Sequence, residues 1–258
     1  MSRVALRFAA LGYLAAILVA PVSLIFWRTF EHGLHPVWVS LSSDTTLHAL
    51  KLTLIITAIA VPANTIFGIT LALAIVRKRF PGKGLVNALV DLPLALSPVV
   101  VGLSLLLLYG RDGWIQLPFR VVFAVPGMVL ATIFVSLPFV VREVVPVLRE
   151  IGEEQEQAGA TLGASPAQIF RRITLPAIRW GVAYGVVLTT ARCLGEFGAV
   201  TVVSGRIVGQ TETLTIHVEQ SYDNFDVVGA YSASLVLALL AILTLVTMNL
   251  IKPKEPTQ

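Results

Sequence analysis

The chain has 258 residues, of which 56% are apolar and 13% are charged. An ordinary soluble domain has roughly 25% charged residues, so one core surrounded by water could not hide all of these apolar side chains. The net charge of +4 comes from basic residues dispersed among apolar segments, which argues against a nucleic-acid-binding surface. The composition predicts an all-α membrane protein whose single transmembrane domain occupies residues 1–258.

Six apolar segments are long enough to cross the bilayer as helices when the sequence is read in windows of about 20 residues. They lie near residues 8–27, 50–76, 88–109, 121–141, 180–204 and 227–251. The first resembles a signal peptide but lacks an obvious small-residue cleavage site, so we interpret it as a retained helix. Pro93, Pro98, Pro126 and Pro138 lie in or beside the third and fourth segments and predict kinks, because proline removes a backbone donor.

The distribution of Lys and Arg predicts which side of the membrane each loop occupies. One side receives thirteen of these residues: Arg3, Arg7, Arg77, Lys78, Arg79, Lys83, Arg142, Arg149, Arg171, Arg172, Arg179, Lys252 and Lys254. The other side receives five: Arg28, Lys51, Arg111, Arg120 and Arg206. By the positive-inside rule, both termini and the loops near residues 80 and 160 are expected in the cytoplasm. His32 and His35 then fall in an outer loop, where they have no partner at metal-binding spacing.

The segment 143–179 between the fourth and fifth spans is too long for a structureless connection, so it should contain its own helices. Glu153, Glu154 and Glu156 suit the start of a first short helix, and Gly163 suits its end. Ser165 and Gln168 have the capping-box spacing, with Pro166 at the first helical position, which predicts a second short helix. We expect that helix to run through Ile169 and Phe170 to about residue 172, with Pro176 ending the unit. The resulting hairpin would present Ile169 and Phe170 to a partner.

Part of this hairpin resembles a known family signature. The run QAGATLGASPAQIFRRITLP, residues 157–176, is similar to the cytoplasmic motif of ABC importer permeases: EAA, three residues, Gly, nine residues, then IxLP. The matching positions are Gln157, Ala158, Gly159, Gly163, Ile173, Leu175 and Pro176. Gln157 stands where the family has Glu and Gly159 where it has a second Ala, which leaves Glu156 as the neighbouring carboxylate. The resemblance implies the type I ABC importer permease fold, with 143–179 as the loop that couples to a separate ATP-hydrolysing subunit.

Residues 91–107, 136–148 and 191–205 resemble the oxyanion branch of these permeases, and most of all the second of two unlike permeases of sulfate/thiosulfate importers. The resemblance implies a sister permease, two ATP-binding subunits and an extracytoplasmic sulfate-binding protein as partners in the plasma (inner) membrane of a bacterium. It implies sulfate or thiosulfate as cargo, with molybdate or tungstate as the alternative. ATP and Mg²⁺ would be used by the partner ATPase, with no cofactor bound to this chain.

Arg192 and Glu196 lie one helical turn apart in the fifth span, where a helix starting at Trp180 would bury both deep in the hydrocarbon layer. Charges at that depth normally face a bundle interior, a partner or water. Two interpretations stay open: an ion pair that locks two helices together, or a stretch that lines the translocation path or its gate. In the second, Gly195, Phe197 and Gly198 complete the moving segment. Arg192 has the right sign to sense an anion.

Other functional classes lack the motifs that they require. The sequence contains no GxxxxGK[ST] phosphate loop, no HExxH and no GxSxG, so we expect neither ATP hydrolysis nor intramembrane enzyme chemistry from this chain. The single Cys193 allows no internal disulfide and matches no metal-ligand spacing. A passive anion channel would explain Arg192 but gives no reason for the hairpin.

Overall fold

A computed structural model describes residues 3–251, and within that range the chain is helical apart from turns and loops. Lys252 and Lys254, which count toward the predicted sidedness, lie outside the described residues. Five helices are long and apolar enough to cross a membrane, and a sixth span is a bent pair of shorter helices. The predicted all-α membrane fold is confirmed.

Thirteen α-helices follow one another within residues 3–251. They are α1 (Arg3–Leu14), α2 (Ala20–Phe30), α3 (Leu34–Leu41), α4 (Asp44–Arg77), α5 (Lys83–Ala95), α6 (Pro98–Tyr109), α7 (Val125–Ile151), α8 (Glu154–Thr161), α9 (Pro166–Ile169), α10 (Leu175–Leu194), α11 (Gly198–Ser204), α12 (Leu214–Asp223) and α13 (Val227–Ile251). Two π-helical turns, Ala15–Val19 and Phe170–Thr174, join α1 to α2 and α9 to α10 without a break. The short helices α3 and α12 lie between predicted spans.

Three long helices, α4, α7 and α10, form the centre of the bundle and approach one another through glycines. A Cβ atom at Gly185 of α10 would lie 2.8 Å from the Cα of Val140 in α7, and one at Gly68 of α4 would lie 2.8 Å from the Val140 Cβ. Small residues at helix contacts let backbones come close, which is how helices gain packing energy in a membrane. Val140 is therefore held between both neighbouring helices.

The third span, predicted at 88–109 with kinks at Pro93 and Pro98, is bent before Pro98 but not at Pro93. It consists of α5 and α6, bent by 109° at residues 96–97. Leu96 and Ser97 are extended, and Pro98 favours this geometry in Ser97 because proline disfavours helical geometry in the residue before it. Pro93, by contrast, lies inside α5 without ending it, and α7 continues through Pro138 and Pro146.

The fifth span also differs from its predicted range of 180–204. One continuous helical segment runs from Pro166 to Leu194, and residues 195–197 then separate it from α11. Pro176 does not end the hairpin, since it lies in the first turn of α10, after the π-helical turn, where a missing amide is tolerated. The segment 143–179 is thus largely the ends of two long helices, with the connecting hairpin at 152–165.

The two helix breaks meet in space. A Cβ atom at Gly198 of α11 would lie 3.0 Å from the Cβ of Pro98, which begins α6. Farther along the same pair of helices, a Cβ atom at Gly102 would lie 2.7 Å from the backbone oxygen of Ala199. This contact with backbone leaves no room for a side chain, so α6 and α11 can pack together only through these glycines.

Gly102→Ala should destabilise the protein by about 1–3 kcal/mol, because the new methyl group overpacks the contact with α11. Thermal unfolding in detergent, followed by circular dichroism, would measure this effect. Gly84→Ala is the matched control, since a Cβ atom there meets no atom within 4 Å. Equal melting temperatures for both variants would contradict the close packing of α6 on α11.

Candidate functional site

The charged pair identified in the sequence lies at the break between α10 and α11. Arg192 belongs to the last turn of α10 and Glu196 to the non-helical residues after it. An Arg192 Nη1 atom lies 2.7 Å from Glu196 Oε2. Glu196 is 3% exposed, whereas the Arg192 side chain keeps 28% of its surface exposed. The two charges therefore form one pair with a buried acidic end and an accessible basic end.

Glu196 also satisfies the backbone where the helix is interrupted. Its Oε1 accepts a hydrogen bond of 2.9 Å from the Ala199 amide in the first turn of α11. Its backbone oxygen accepts one of 2.8 Å from the Thr215 hydroxyl of α12. Glu196 thus joins the start of α11 to α10 and α12. Glu196 is buried at this joint, so Arg192 is the member of the pair with exposed surface.

Gly195, Phe197 and Gly198 occupy different positions at the break between α10 and α11. Gly195 ends α10, and Phe197 precedes α11 with a partly exposed ring. Gly198 lies against Pro98 at the other helix break. All five residues that the sequence proposed for the path, including Arg192 and Glu196, therefore lie at one junction of α6, α10 and α11.

A buried polar cluster that sequence reasoning missed lies one residue from Arg192. Asn64 of α4 donates hydrogen bonds to Ser136 Oγ at 2.8 Å and to the Ile133 oxygen at 3.1 Å. The Cys193 Sγ lies 3.4 Å from the same Ser136 Oγ. Asn64 is fully buried in an apolar helix, and an amide in a span is the signal that could have identified it. The cluster fixes the rotation of α10 against α4 and α7.

The hairpin 152–165 is closed by local hydrogen bonds that agree with the predicted signals. Gly163 has φ +82°, the Ala164 amide donates to the Gly159 oxygen at 3.0 Å, and the Gly163 amide donates to the Ala160 oxygen at 3.0 Å. These two bonds are the Schellman helix ending. The capping box between Ser165 and Gln168 is present in both directions. The predicted end of α8 and start of α9 are confirmed.

Arg77, the last residue of α4, anchors this hairpin to the bundle. Its guanidinium donates to Glu156 at 3.0 Å and to the backbone oxygens of Leu148 at 3.0 Å and Gly152 at 2.6 Å. The Thr174 hydroxyl donates to the same Glu156 carboxylate at 2.8 Å. Glu156 therefore faces inward and is bound within the chain. It does not take the place of the glutamate that the family signature has where this chain has Gln157. Gln157, next to it, is exposed.

The apolar residues of the signature differ in how far they are buried. A Cβ atom at Gly159 would lie 2.8 Å from Ile173 Cδ1, so a glycine there allows α8 to rest on the following helix. Ile169 and Phe170 are only partly exposed, whereas Ala158 and Pro176 are exposed and Leu175 is intermediate. Leu162, at the tip, is 88% exposed. The hairpin thus offers Leu162 to a partner more fully than Ile169 or Phe170.

A second buried cluster lies at the opposite end of the bundle. His217 Nδ1 is 2.8 Å from Glu212 Oε1, and His217 Nε2 is 3.0 Å from the Thr46 hydroxyl. This cluster ties α12 to the start of α4. His32 and His35 are exposed, as predicted, but only His32 lies in a loop, since His35 belongs to α3. Among residues 3–251, no group of three or more His, Cys, Asp or Glu side chains is arranged to hold a metal ion.

Residues 64–255 match the family described as binding-protein-dependent transport system inner membrane component. The chain belongs to this family of transport permeases. The sulfate transport system permease protein CysW of Synechocystis sp. is 50% identical over 250 residues, covering 95% of this chain and 91% of the relative. CysT of Salmonella typhimurium, another sulfate transport system permease, is 34% identical over 250 residues, covering 95% of this chain and 90% of the relative.

The permease fold is also found among solved structures. A chain of a bacterial alginate ABC transporter, crystallised with an alginate-pentasaccharide-bound periplasmic protein, superposes with a TM-score of 0.77 at 17% identity. The match covers 96% of this permease and 91% of that chain. At this identity the likeness concerns the fold alone, which is that of type I ABC importer permeases.

Arg192→Gln should destabilise the permease by about 2 kcal/mol, because it leaves the buried Glu196 carboxylate without its countercharge. Adding Glu196→Gln should recover part of that loss, since the neutral amide can remain near the Ala199 amide without a charge. Thermal unfolding of both single variants and the double variant would complete the cycle. Strictly additive losses would show that the pair is not energetically coupled.

Proposed function

We propose that this permease imports sulfate across the bacterial plasma membrane, within a complex powered by ATP hydrolysis in its partner subunits. The observation that carries the proposal is the similarity at 50% identity, along nearly the whole chain, to a sulfate transport permease. Thiosulfate has the same charge and a similar tetrahedral shape, so it is a second cargo. The relatives described above give no support to the molybdate or tungstate alternative.

The complex contains two unlike permeases, two ATP-binding subunits and an extracytoplasmic sulfate-binding protein. Similarity at 50% to one sulfate permease and at 34% to another supports this chain as the partner of a sister permease. Each permease supplies half of the helices around a shared path. ATP and Mg²⁺ are bound by the ATP-binding subunits, while this chain holds no cofactor and contributes no catalytic residue.

The hairpin 152–165 lies in the cytoplasm and couples the permease to an ATP-binding subunit. The excess of Lys and Arg on that side supports this orientation, with both termini in the cytoplasm. Leu162 enters a groove of the ATP-binding subunit, because this apolar side chain at a turn is left 88% exposed by the described part of the chain. Arg77 and Thr174 transmit the motion through Glu156, since they join it to α4 and to the start of the fifth span.

The junction of α6, α10 and α11 lines the path and its gate. Arg192 attracts the dianion, and its pairing with Glu196 keeps the junction closed between transport events. A rotation of the segment 166–194 would move Arg192 directly, because that segment is one continuous helix from the hairpin to the break. Alternating access of this kind needs ATP, since an inside-negative potential opposes a dianion by about 4.6 kcal/mol per 100 mV.

Uptake of radiolabelled sulfate into proteoliposomes would test the proposed function. The liposomes would contain this permease, its sister permease and the ATP-binding subunits, with the binding protein added outside. We expect uptake that requires ATP and all four proteins and that excess unlabelled molybdate does not reduce. Uptake of molybdate instead would overturn the cargo, and uptake without ATP would favour a passive channel.

Leu162→Glu should abolish stimulation of ATP hydrolysis by the binding protein and reduce recovery of the ATP-binding subunit in co-purification at least tenfold. The reason is that a carboxylate at the hairpin tip cannot be buried in an apolar groove without a large desolvation cost. Leu162→Met is the matched control and should keep both properties, because methionine is apolar and of similar volume. Normal co-purification of the Leu162→Glu variant would place the docking surface elsewhere on the hairpin.

A further inference from the structure

The loop between α6 and α7, residues 110–124, encloses a cavity that has no place in the mechanism proposed above. The cavity has a volume of about 750 Å³, and its polar lining consists of Tyr109 at the end of α6 and of Arg111, Gln116 and Arg120 in the loop. A cavity of this size is typical of a site for a small molecule. Both of its charged lining residues are arginines, so an anionic ligand suits it.

Backbone hydrogen bonds fix the loop to two helices. On one side of the cavity, the Ile115 amide donates to the Leu108 oxygen of α6 at 2.8 Å. On the other side, the Phe123 amide donates to the Val203 oxygen of α11 at 2.7 Å. The arginines between these two points therefore belong to a wall held by the fold, as a binding site requires.

Neither arginine of the cavity is neutralised within the described part of the chain. None of the ion pairs formed by residues 3–251 includes Arg111 or Arg120, and both residues are exposed. The other two arginines counted on the outer side, Arg28 and Arg206, each pair with a glutamate. Two guanidiniums that share a cavity repel each other, and a bound anion would relieve this repulsion.

The level of the cavity in the membrane follows from the length of α7. This helix has 27 residues and is about 40 Å long, whereas the hydrocarbon layer is about 30 Å thick. Its last turn lies at the hairpin, where Arg77 binds the Leu148 oxygen, so its first residue, Val125, reaches the headgroup layer on the opposite side. Residues 121–123, just before α7, line the cavity. The cavity therefore lies at the level of the outer lipid headgroups.

Apolar side chains beside the arginines are left uncovered by residues 3–251. Trp114 is 89% exposed, and Phe119 and Phe123 each keep more than half of their surface exposed. Tryptophan is enriched at the membrane–water interface, where its ring lies among the headgroups. A free inorganic anion would leave these side chains in water. A phospholipid supplies both a phosphate for the arginines and acyl chains for the apolar side chains.

We propose that this cavity binds the phosphate of an anionic phospholipid of the outer leaflet, with Arg111 and Arg120 as its ligands. A guanidinium presents paired donors that match phosphate oxygens. An anionic lipid also brings net negative charge to the two arginines, which a zwitterionic lipid does not. The inference does not depend on which anion the permease carries. Since the loop is bonded to α6 and α11, the lipid lies against the outer ends of the two helices that pack through Gly102.

Native mass spectrometry of the detergent-purified complex would test this proposal by counting bound lipids during titration with phosphatidylglycerol or phosphatidylcholine. We expect the double variant Arg111→Gln with Arg120→Gln to lose one tightly bound phosphatidylglycerol, its Kd rising about thirtyfold, or roughly fivefold for each basic residue that faces an anionic lipid. Binding of phosphatidylcholine should be weaker and should change less.

Two further variants serve as controls. Arg28→Gln removes one positive charge on the same side of the membrane, from an arginine that is already paired, and should leave the Kd unchanged. Arg111→Lys with Arg120→Lys keeps both charges and should retain most of the binding, which separates the charge from a general effect on folding.

Three results would overturn the proposal. Equal lipid binding by the double glutamine variant and the unaltered complex would remove the arginines from any lipid site. Displacement of the lipid by sulfate, beyond that caused by chloride at equal ionic strength, would assign the cavity to a free oxyanion. Loss of the sister permease from the double glutamine variant would assign the loop to a contact between permeases.

Discussion

Inside a hydrocarbon layer, every charge and every unbonded backbone group needs a partner in the protein, and the fold depends on how this need is met where helices stop. At residues 195–197 Glu196 meets it, by bonding the Ala199 amide, the Thr215 hydroxyl and Arg192. The other break, at 96–97, lies against this one, with Pro98 packed on Gly198. Because each break is covered by the other, the bundle can hold non-helical backbone in its interior.

A similar arrangement of donors and acceptors holds the hairpin in place. Arg77 bonds the carbonyl oxygens at the end of α7 and the carboxylate of Glu156, so the ends of α4 and α7 and the start of α8 are joined at one guanidinium. From Pro166 the chain then continues as one helix to Leu194. A rigid element 29 residues long therefore connects the hairpin with the junction that carries Arg192. Packing through Gly185 on Val140 gives this element a close contact in mid-span about which to move.

The sequence was sufficient for features that depend on local chemistry. Composition identified the membrane spans, and spacing identified the Gly163 ending, the Ser165 capping box and the pairing of Arg192 with Glu196. The sequence alone was insufficient where contacts between distant segments determine where a helix breaks or which way a side chain points. Pro98 predicted a kink, but a run of apolar residues looks the same however sharply the helix bends, so the size of that bend and the separation of α11 were not predicted. The inward direction of Glu156 depends on Arg77, 79 residues away, and the Glu212–His217–Thr46 cluster depends on a contact between α4 and α12.

The ion pairs Arg192–Glu196 and Arg142–Asp91 show that residues of similar type have different roles when one pair is buried and the other is exposed. Glu196 is covered, and its carboxylate serves backbone and arginine together, so removing its charge disturbs the joint between three helices. Asp91 is half exposed and bonds only the side chain of Arg142 among the described residues, so removing its charge disturbs no backbone contact. Desolvation makes the first pair hard to separate, whereas water at the second lowers the cost of separation.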